Sequence, residues 1–492
     1  MTSDKAASSR SFPARIAIGT DNFFRISERG SSVSREIRGG VVTFFAMAYI
    51  IVLNPLILGT VPDAEGQFLG GGTEPNLGMI AAATALVAGV VTILMGIVAN
   101  FPIALATGLG LNAFVAFGVA SHMTWADAMG LVVLEGVLML ILVLTGFRRA
   151  VFNAVPRGLK TGISVGIGLF IAFIGLSNGG FINSTLIPSP PVELGTGGSL
   201  AGWPVAVFTL GLIAMIVLYT LKVRGAILWA IIGTTVLAVT LEQVLKIGPA
   251  SDDNPLGWNL NAPQLPDTLF TVPDFSLLGH FNLLGSWENV GLILVILLVF
   301  TLLLSDFFDT MGTMVAVGAE GNLLDQHGNP INAQRILVVD SIGTLAGGAG
   351  GVSTATSYIE SATGVGDGAR TGLASVVTGL CFLLATLLSP IVQMVPNEAA
   401  APALVLVGFL MMTQVGGIDW RDPEIALPAF LTMALMPLAY SISVGLGAGF
   451  IAYTVMKVAR RKWREIHPLM WVVALAFVVY FAHGPLQQLI GG

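Results

Sequence analysis

Apolar runs, each closed by a short polar or glycine-rich break, repeat along almost the whole chain. They fall near 39–59, 78–99, 103–121, 126–147, 156–178, 203–222 and 226–245. After a polar stretch at 246–287 they resume near 288–317, 332–349, 355–368, 370–391, 398–415, 423–440 and 443–459. A helix of about 20 apolar residues crosses a hydrocarbon core of roughly 30 Å. The pattern therefore predicts an all-α polytopic membrane protein with fourteen core segments, seven on each side of the polar stretch. A further apolar run, 468–484, follows the basic stretch KVARRKWRE, and the sequence leaves open whether it spans or lies at the surface.

Composition agrees. Of 492 residues, 54% are hydrophobic and 10% charged, with mean hydropathy +0.85; average soluble domains carry about 25% charged residues. The net charge of −6 says little about partners, because most acidic residues fall between the apolar runs. The single cysteine, Cys381, rules out an intrachain disulfide. Residues 1–38 are polar and arginine-rich, too long and too charged for a cleaved signal peptide. They read as a largely disordered cytoplasmic tail, with the first helix acting as the insertion signal.

Charge bias sets the orientation. Cations cluster at Arg148, Arg149, Arg157 and Lys160, at Lys222 and Arg224, and at Lys457, Arg460, Arg461, Lys462 and Arg464. The loop 179–202 carries Glu193 alone, and 246–287 carries Asp252, Asp253, Asp267 and Asp274 against Lys246. The positive-inside rule then puts the N-terminal tail and the 457–464 cluster in the cytoplasm, with 246–287 on the other side.

Seven spans per half is an odd number, so the second half enters from the opposite side. The domain plan is a first repeat at 39–245, the linker 246–287, a second repeat at 288–459 and a C-terminal segment at 460–492. Inverted repeats are a common plan of secondary transporters, with the site near the midplane between the repeats. The third segment of each half is anomalous: FPIALATGLGLNAFVAFG (101–118) and GGVSTATSYIESATGVGDG (350–368) are short, rich in Gly, Thr and Ser, and each carries a polar residue in mid-run, Asn112 and Glu360. Short, glycine-interrupted segments at matching positions point to a transport site. Broken backbone at that depth is tolerated where protein or a water-filled cavity satisfies it. Each break also exposes N–H groups at a half-helix N-terminus.

Two carboxylates stand inside the apolar run that continues through SDFFDTMGTMV (305–315). Asp306, Asp309, Thr310 and Thr313 lie at i, i+3, i+4 and i+7, which predicts one shared helix face. An ionised Asp at the bilayer centre costs about 2.5–3.5 kcal/mol on insertion scales, so two of them need partners, protonation or a wet cavity. Glu360 sits in STATSYIESATG, where local Ser and Thr groups offer a structural alternative to a ligand site. Asn112 is either a helix tie or part of the site. For Glu135, in LVVLEGVLML, coupling and an interhelical hydrogen bond both stay open. Asp340 reads as a cap or brace. The aromatics Phe44, Phe45, Phe307, Phe308 and Tyr358 lie near these polar positions, and their recurrence suits a planar aromatic ligand, although singly each fits packing or lipid contact.

The set TGLGLNAF (107–114), DFFDTMGTMV (306–315), STATSYIESATGVGDGARTG (353–372) and PAFLTMALMPLAYSISVGLGAGFIAY (428–453) resembles the nucleobase–cation symporter-2 family, and within it the AzgA-like purine permeases. The resemblance spans residues 36–484. It implies two inverted seven-helix repeats divided into core and gate domains, with short strands and half-helices in the third and tenth segments. It also implies proton-driven import of adenine, guanine or hypoxanthine. Asn112, Asp306, Asp309 and Glu360 stand at the family's recognition and coupling positions, with Asp306, Asp309 and Glu360 as the proton-coupling candidates. Tyr358, Ile359, Gly108 and Phe45 join the expected binding set, followed by Thr107, Leu109, Thr313, Ser357 and Glu135. Relative to uracil-transporting relatives, Asp309 replaces a glutamate and Thr313 a histidine, so a proton relay would run through carboxylates. The chemistry is compatible, since a purine is flat and edged with N–H donors, and charge-assisted bonds to a carboxylate are roughly twice as strong as neutral ones.

The implied partners are a purine base and the bilayer of the cytoplasmic membrane, with a homodimer through the gate domain; no nucleic acid, metal or organic cofactor is expected. The proton is the expected coupling ion, with sodium as the alternative. Other readings are a xanthine- or uracil-type carrier and an anion carrier of the related sulfate-transporter architecture, which three candidate carboxylates disfavour. The GVGD at 364–367 matches one motif of intramembrane aspartyl proteases, but no Tyr-Asp pair accompanies it. Neither a metalloprotease HExxH nor a Walker motif is present, so neither an enzyme nor an ATP-driven pump is expected.

Overall fold

The computed structural model describes residues 19–146, 155–185 and 191–490 apart from 252, 260, 267, 327–328 and 393; the side chains at 293, 308 and 483–490 also lie outside the description. Arg148, Arg149, Asp252, Asp267, the Phe308 side chain and tail residues 1–18 therefore lie outside the described residues. The first half runs through α1 (Val33–Met47), α2 (Ile50–Gly59), α3 (Leu77–Leu94), β1 (Leu105–Thr107), α4 (Leu109–Ala113), α5 (Trp125–Thr145), α6 (Arg157–Asn178), the outer hairpin β2 (Ile182–Ser184) and β3 (Val192–Leu194), α7 (Trp203–Thr220) and α8 (Ala226–Leu245). The second half runs through α9 (Gly285–Val290), α10 (Leu292–Glu320), α11 (Ala333–Ala349), β4 (Ala355–Ser357), α12 (Ser361–Gly366), α13 (Gly372–Ala385), α14 (Ser389–Val392), α15 (Asn397–Met412), α16 (Pro423–Leu438) and α17 (Ile442–Ala459), with α18 (Pro468–Ile490) after it.

Among the described residues, ten helical stretches are long and apolar enough to cross a membrane. The expected segments 103–121, 332–349, 355–368 and 423–440 hold shorter helices, in 103–121 and 355–368 because a strand takes up part of the run. The expectation of disorder through residue 38 does not hold for its last part. Residues 19–24 are helical, and α1 starts at Val33, where the Ser32 side chain accepts from the Arg35 N–H. Arg29 donates to the carbonyls of Asn100 and Arg370, tying this segment to the core.

Helices α1–α5 pack with α10–α13 as one body, and α6–α8 pack with α15–α17 as a second. Helix α18 lies on α17 and α10, with Phe477 stacked on Phe450 at 6.0 Å between centroids. Small residues set the closeness of the first body, as is common among membrane helices. A Cβ on Gly372 would collide with the Gly96 backbone, and one on Gly379 with the Gly89 carbonyl, so α13 and the α3 helix meet backbone to backbone.

The two repeats interlock through one element. β1 pairs antiparallel with β4 in the register Leu105↔Ser357, Ala106↔Thr356 and Thr107↔Ala355. The half-helices α4 and α12 leave this ribbon from opposite ends, α4 toward the turn at 120–124 and α12 toward Asp367. That is the arrangement an inverted repeat requires.

The described residues of the linker 246–287 form a strap that touches both bodies. It reaches the second body through Asn259 N–H to Glu398 Oε1 (2.8 Å) and Asn261 Nδ2 to the Val395 carbonyl (2.8 Å). It reaches the first body through Thr271 N–H to the Leu387 carbonyl (3.2 Å) and Asn282 N–H to the Ala126 carbonyl (2.8 Å). At the opposite end of the bundle from this strap, Arg224, between α7 and α8, pairs with Asp367 at 2.7 Å, and Arg38 of α1 pairs with the same carboxylate. Asp367 of the GVGD motif is thus occupied by two guanidiniums and joins the two bodies.

A pair with an exposed arginine contributes about 1 kcal/mol or less, a factor of about five at most. Arg224→Ala is accordingly expected to slow transport by no more than about fivefold. Asp367→Ala strips both arginines and should cost more. Initial rates at matched membrane expression check the order, and equal effects would mean that the Arg38 contact adds nothing.

Candidate functional site

The ribbon fixes every polar residue singled out in the sequence. Thr310 Oγ1 of α10 lies 2.8 Å from Thr356 Oγ1 of β4, so α10 docks on the ribbon at the level of its two aspartates. The aspartates then part. Asp306 is fully buried, with Oδ2 accepting from the Thr344 hydroxyl of α11 at 2.8 Å and Oδ1 without a described partner. Asp309 is exposed.

The side of α10 bearing Asp309 shows where the space opens. Above it on that side, Val295, Leu298, Leu302 and Ser305 are buried. From Asp309 downward, Gly312, Ala316 and Ala319 are exposed at i+3, i+7 and i+10, one stripe ending at Glu320. The open face therefore runs from the level of the ribbon to the C-terminal end of the helix. Glu360, half-buried, precedes α12 and stands four residues past Thr356; Ile359 beside it is 46% exposed. As α10 packs against both β4 and α12, Asp309 and Glu360 sit on adjoining elements, the first exposed and the second half-buried.

Tyr49 was not singled out in the sequence. It sits at the interruption between α1 and α2 and donates its hydroxyl to Glu360 Oε1. The Glu360 carboxylate is thus held from another helix rather than by its own Ser and Thr neighbours. Tyr358, read as a ligand contact, is 6% exposed and donates to the Thr107 carbonyl at 2.6 Å, stapling the ribbon. Gly108 donates its N–H to the Thr354 carbonyl at 3.0 Å, and a Cβ there would press on the Thr356 methyl. Leu109, Thr107 and Thr313 are buried. Phe44 packs edge-on against Phe382 at 5.1 Å between centroids, while Phe45 is exposed beside the Gly225 turn of the second body.

Behind β4 lies a buried network. Asp340 accepts from Thr310 through Oδ2 (2.8 Å) and from Ser357 through Oδ1 (2.9 Å), bracing α11, α10 and β4 together. Glu135 of α5 accepts from Thr354 at 2.8 Å, and its Oε1 has no described partner. Asn112 is fully buried, donating to Asn54 Oδ1 at 2.6 Å, while Asn54 in turn donates to Thr84 at 2.8 Å. Hence the structure leaves Asp309, Glu360 and Ile359 with exposed surface. It holds Asn112, Asp306, Ser357 and Glu135 as buried residues. Asn54, in mid-run before Pro55, carried a readable signal as a polar residue inside an apolar helix; Tyr49 and Thr344 carried little. Among the described residues no acidic, His or Cys group is arranged to hold a metal ion.

Comparison with known proteins fits this geometry. The chain is 38% identical over 469 residues to the guanine/hypoxanthine permease PbuG of Bacillus subtilis, covering 93% of this chain and 98% of that one. It is 36% identical to the adenine permease AdeP of Escherichia coli, covering 93% and 95%. In fold it is similar to the transmembrane domain of the cyanobacterial bicarbonate transporter BicA, with TM-score 0.55 and 16% identity over 84% of this chain and 96% of that one. It is also similar to the murine Slc26a9 anion transporter in its inward-facing state, with TM-score 0.59 and 11% identity over 94% and 74%. The family model for xanthine/uracil permeases, described as the permease family, matches residues 34–454. A multi-pass membrane protein with interlocked inverted repeats, this chain belongs to that permease family, the nucleobase–cation symporter-2 transporters.

Proposed function

We propose that this chain imports purine nucleobases by proton symport, with Asp309 and Glu360 gripping the base. The observation that carries the reading is the pair of carboxylates, Asp309 exposed and Glu360 half-buried, on adjoining elements. Relatives named as guanine/hypoxanthine and adenine permeases over more than nine-tenths of the chain supply the substrate class. Each carboxylate accepts N–H bonds from the base edge, and Ile359 supplies apolar area for the ring. Bases with no N–H edge to present, and free anions, gain nothing there.

The coupling proton belongs, in this proposal, to the buried carboxyls behind β4. Asp306, Asp340 and Glu135 are bonded to hydroxyls and have no described cationic partner. Isolated charges are very costly to bury, so protons shared within the cluster are the means of keeping it closed. Thr310, Thr356, Ser357 and Thr344 connect it to the two elements bearing Asp309 and Glu360, so binding the base changes the field that the cluster feels. A homodimer through the gate helices is part of the same proposal.

The test is uptake of labelled hypoxanthine by cells lacking their own purine permeases, with unlabelled bases and sulfate as competitors. Adenine, guanine or hypoxanthine should compete, sulfate should not, and a protonophore should stop accumulation. Sulfate uptake without purine uptake would favour the anion carriers that share the fold. Accumulation dependent on sodium and insensitive to the protonophore would replace the coupling ion.

A further inference from the structure

Glu360 carries the base in the reading above, and the structure assigns to Tyr49 a positioning role that sets which base edge Glu360 accepts. This inference rests on that reading. Tyr49 lies where the first membrane stretch changes from α1 to α2: the Ala48 N–H still returns to the Phe44 carbonyl, and a new set of bonds begins at the Ala48 and Tyr49 carbonyls. The residue is 1% exposed and part of the hydrophobic core. A ring so enclosed has little freedom, so its hydroxyl is a fixed donor, aimed at Glu360 Oε1. The bond also crosses between repeats, from the first segment of one to the third segment of the other.

The consequence is stereochemical. A free glutamate can turn both oxygens toward a ligand and accept two parallel N–H bonds. With Oε1 drawn to Tyr49, the half-buried Glu360 offers Oε2 as its principal acceptor. One acceptor matches hypoxanthine, whose pyrimidine-ring edge presents a single N–H. Guanine presents two donors side by side, the ring N–H and the 2-amino group, and a carboxylate released from Tyr49 could take both. Tyr49 thus holds Glu360 in a single-acceptor pose that narrows the advantage of guanine over hypoxanthine.

Tyr49→Phe keeps the ring and deletes the donor. The expected result is a hypoxanthine KM raised by about tenfold, the effect of roughly one hydrogen bond, with Vmax nearly unchanged. The guanine KM should rise several-fold less, so that the ratio moves toward guanine. A loss of packing alone would lower Vmax or raise both KM values together, and either outcome overturns the inference. If the variant no longer transports, the ratio is read from hypoxanthine and guanine binding to the purified protein. Failure of the underlying reading looks different: wild-type protein would not take up purines, or Glu360→Gln would transport normally. Wild-type uptake with an inactive Glu360→Gln and an unchanged base ratio in Tyr49→Phe sinks the role of Tyr49 alone.

Discussion

Glu360→Gln and Asp309→Asn are each expected to abolish purine uptake while the amount of folded protein in the membrane stays at the wild-type level. Both amides are near-isosteric, so shape is preserved. Each replaces one acceptor oxygen by an NH2 donor and removes the charge. A hydrogen bond to a charged group contributes about 1.5–3 kcal/mol, so its loss weakens binding by roughly 10- to 150-fold. The new NH2 also faces a base N–H with nothing to accept it. Folding is spared for visible reasons: Asp309 is exposed, and a glutamine at 360 can still accept from Tyr49. Asp340→Asn differs, because both Asp340 oxygens brace other elements, and it should lower the amount of folded protein as well. Initial rates of labelled hypoxanthine uptake, normalised to membrane protein, decide the matter. Undiminished, protonophore-sensitive uptake by both amide variants would remove Asp309 and Glu360 from the site.

Gly372→Val is expected to prevent the chain from reaching its folded state. At Gly372 the nearest atoms to an added Cβ are the carbonyl oxygen, carbonyl carbon and Cα of Gly96, all backbone. Backbone cannot rotate away as a side chain does, so α13 would have to withdraw from the α3 helix. Overpacking typically costs about 1–3 kcal/mol and occasionally more, and here withdrawal also breaks the Gly372 N–H bond to Asn100 Oδ1 (2.8 Å). Gly233 in α8 is the matched control, since a Cβ there meets no neighbouring atom within 4 Å. Size-exclusion profiles of fluorescent fusions in mild detergent should show a lost monodisperse peak for Gly372→Val and a near-normal one for Gly233→Val. Equal profiles would show that the close approach of α3 and α13 is dispensable.

Much of the architecture was legible because lipid imposes a strong length rule on apolar segments, and because glycine-rich breaks in the third segment of each half have few other uses. The even spacing of Asp306, Asp309, Thr310 and Thr313 was a coarser guide. On a helix of 100° per residue, Asp306, Thr310 and Thr313 fall within about 60° of one another, with Asp309 at the margin. That offset puts Asp306 against Thr344 and Asp309 on the open face. Asn112 and Tyr358 were legible as important polar or aromatic positions, but not as a partner of Asn54 and a staple on Thr107, because such pairings depend on how distant segments cross. Tyr49 was hidden for the same reason: an aromatic in an apolar run is ordinary until its hydroxyl finds a carboxylate 311 positions away.

The β1–β4 ribbon bears on how such a chain can be made. Its strands lie about 250 positions apart, and each repeat owns only one of them. A lone first repeat would hold Leu105–Thr107 with bare amides and carbonyls in the hydrocarbon region, where each unmet group costs several kcal/mol. Biosynthesis must therefore shelter the early strand, in water, a translocase or a chaperone, until the tenth segment arrives. Neither half, expressed by itself, should settle as a finished unit, whereas the two supplied together as separate polypeptides could still zip up across the gap.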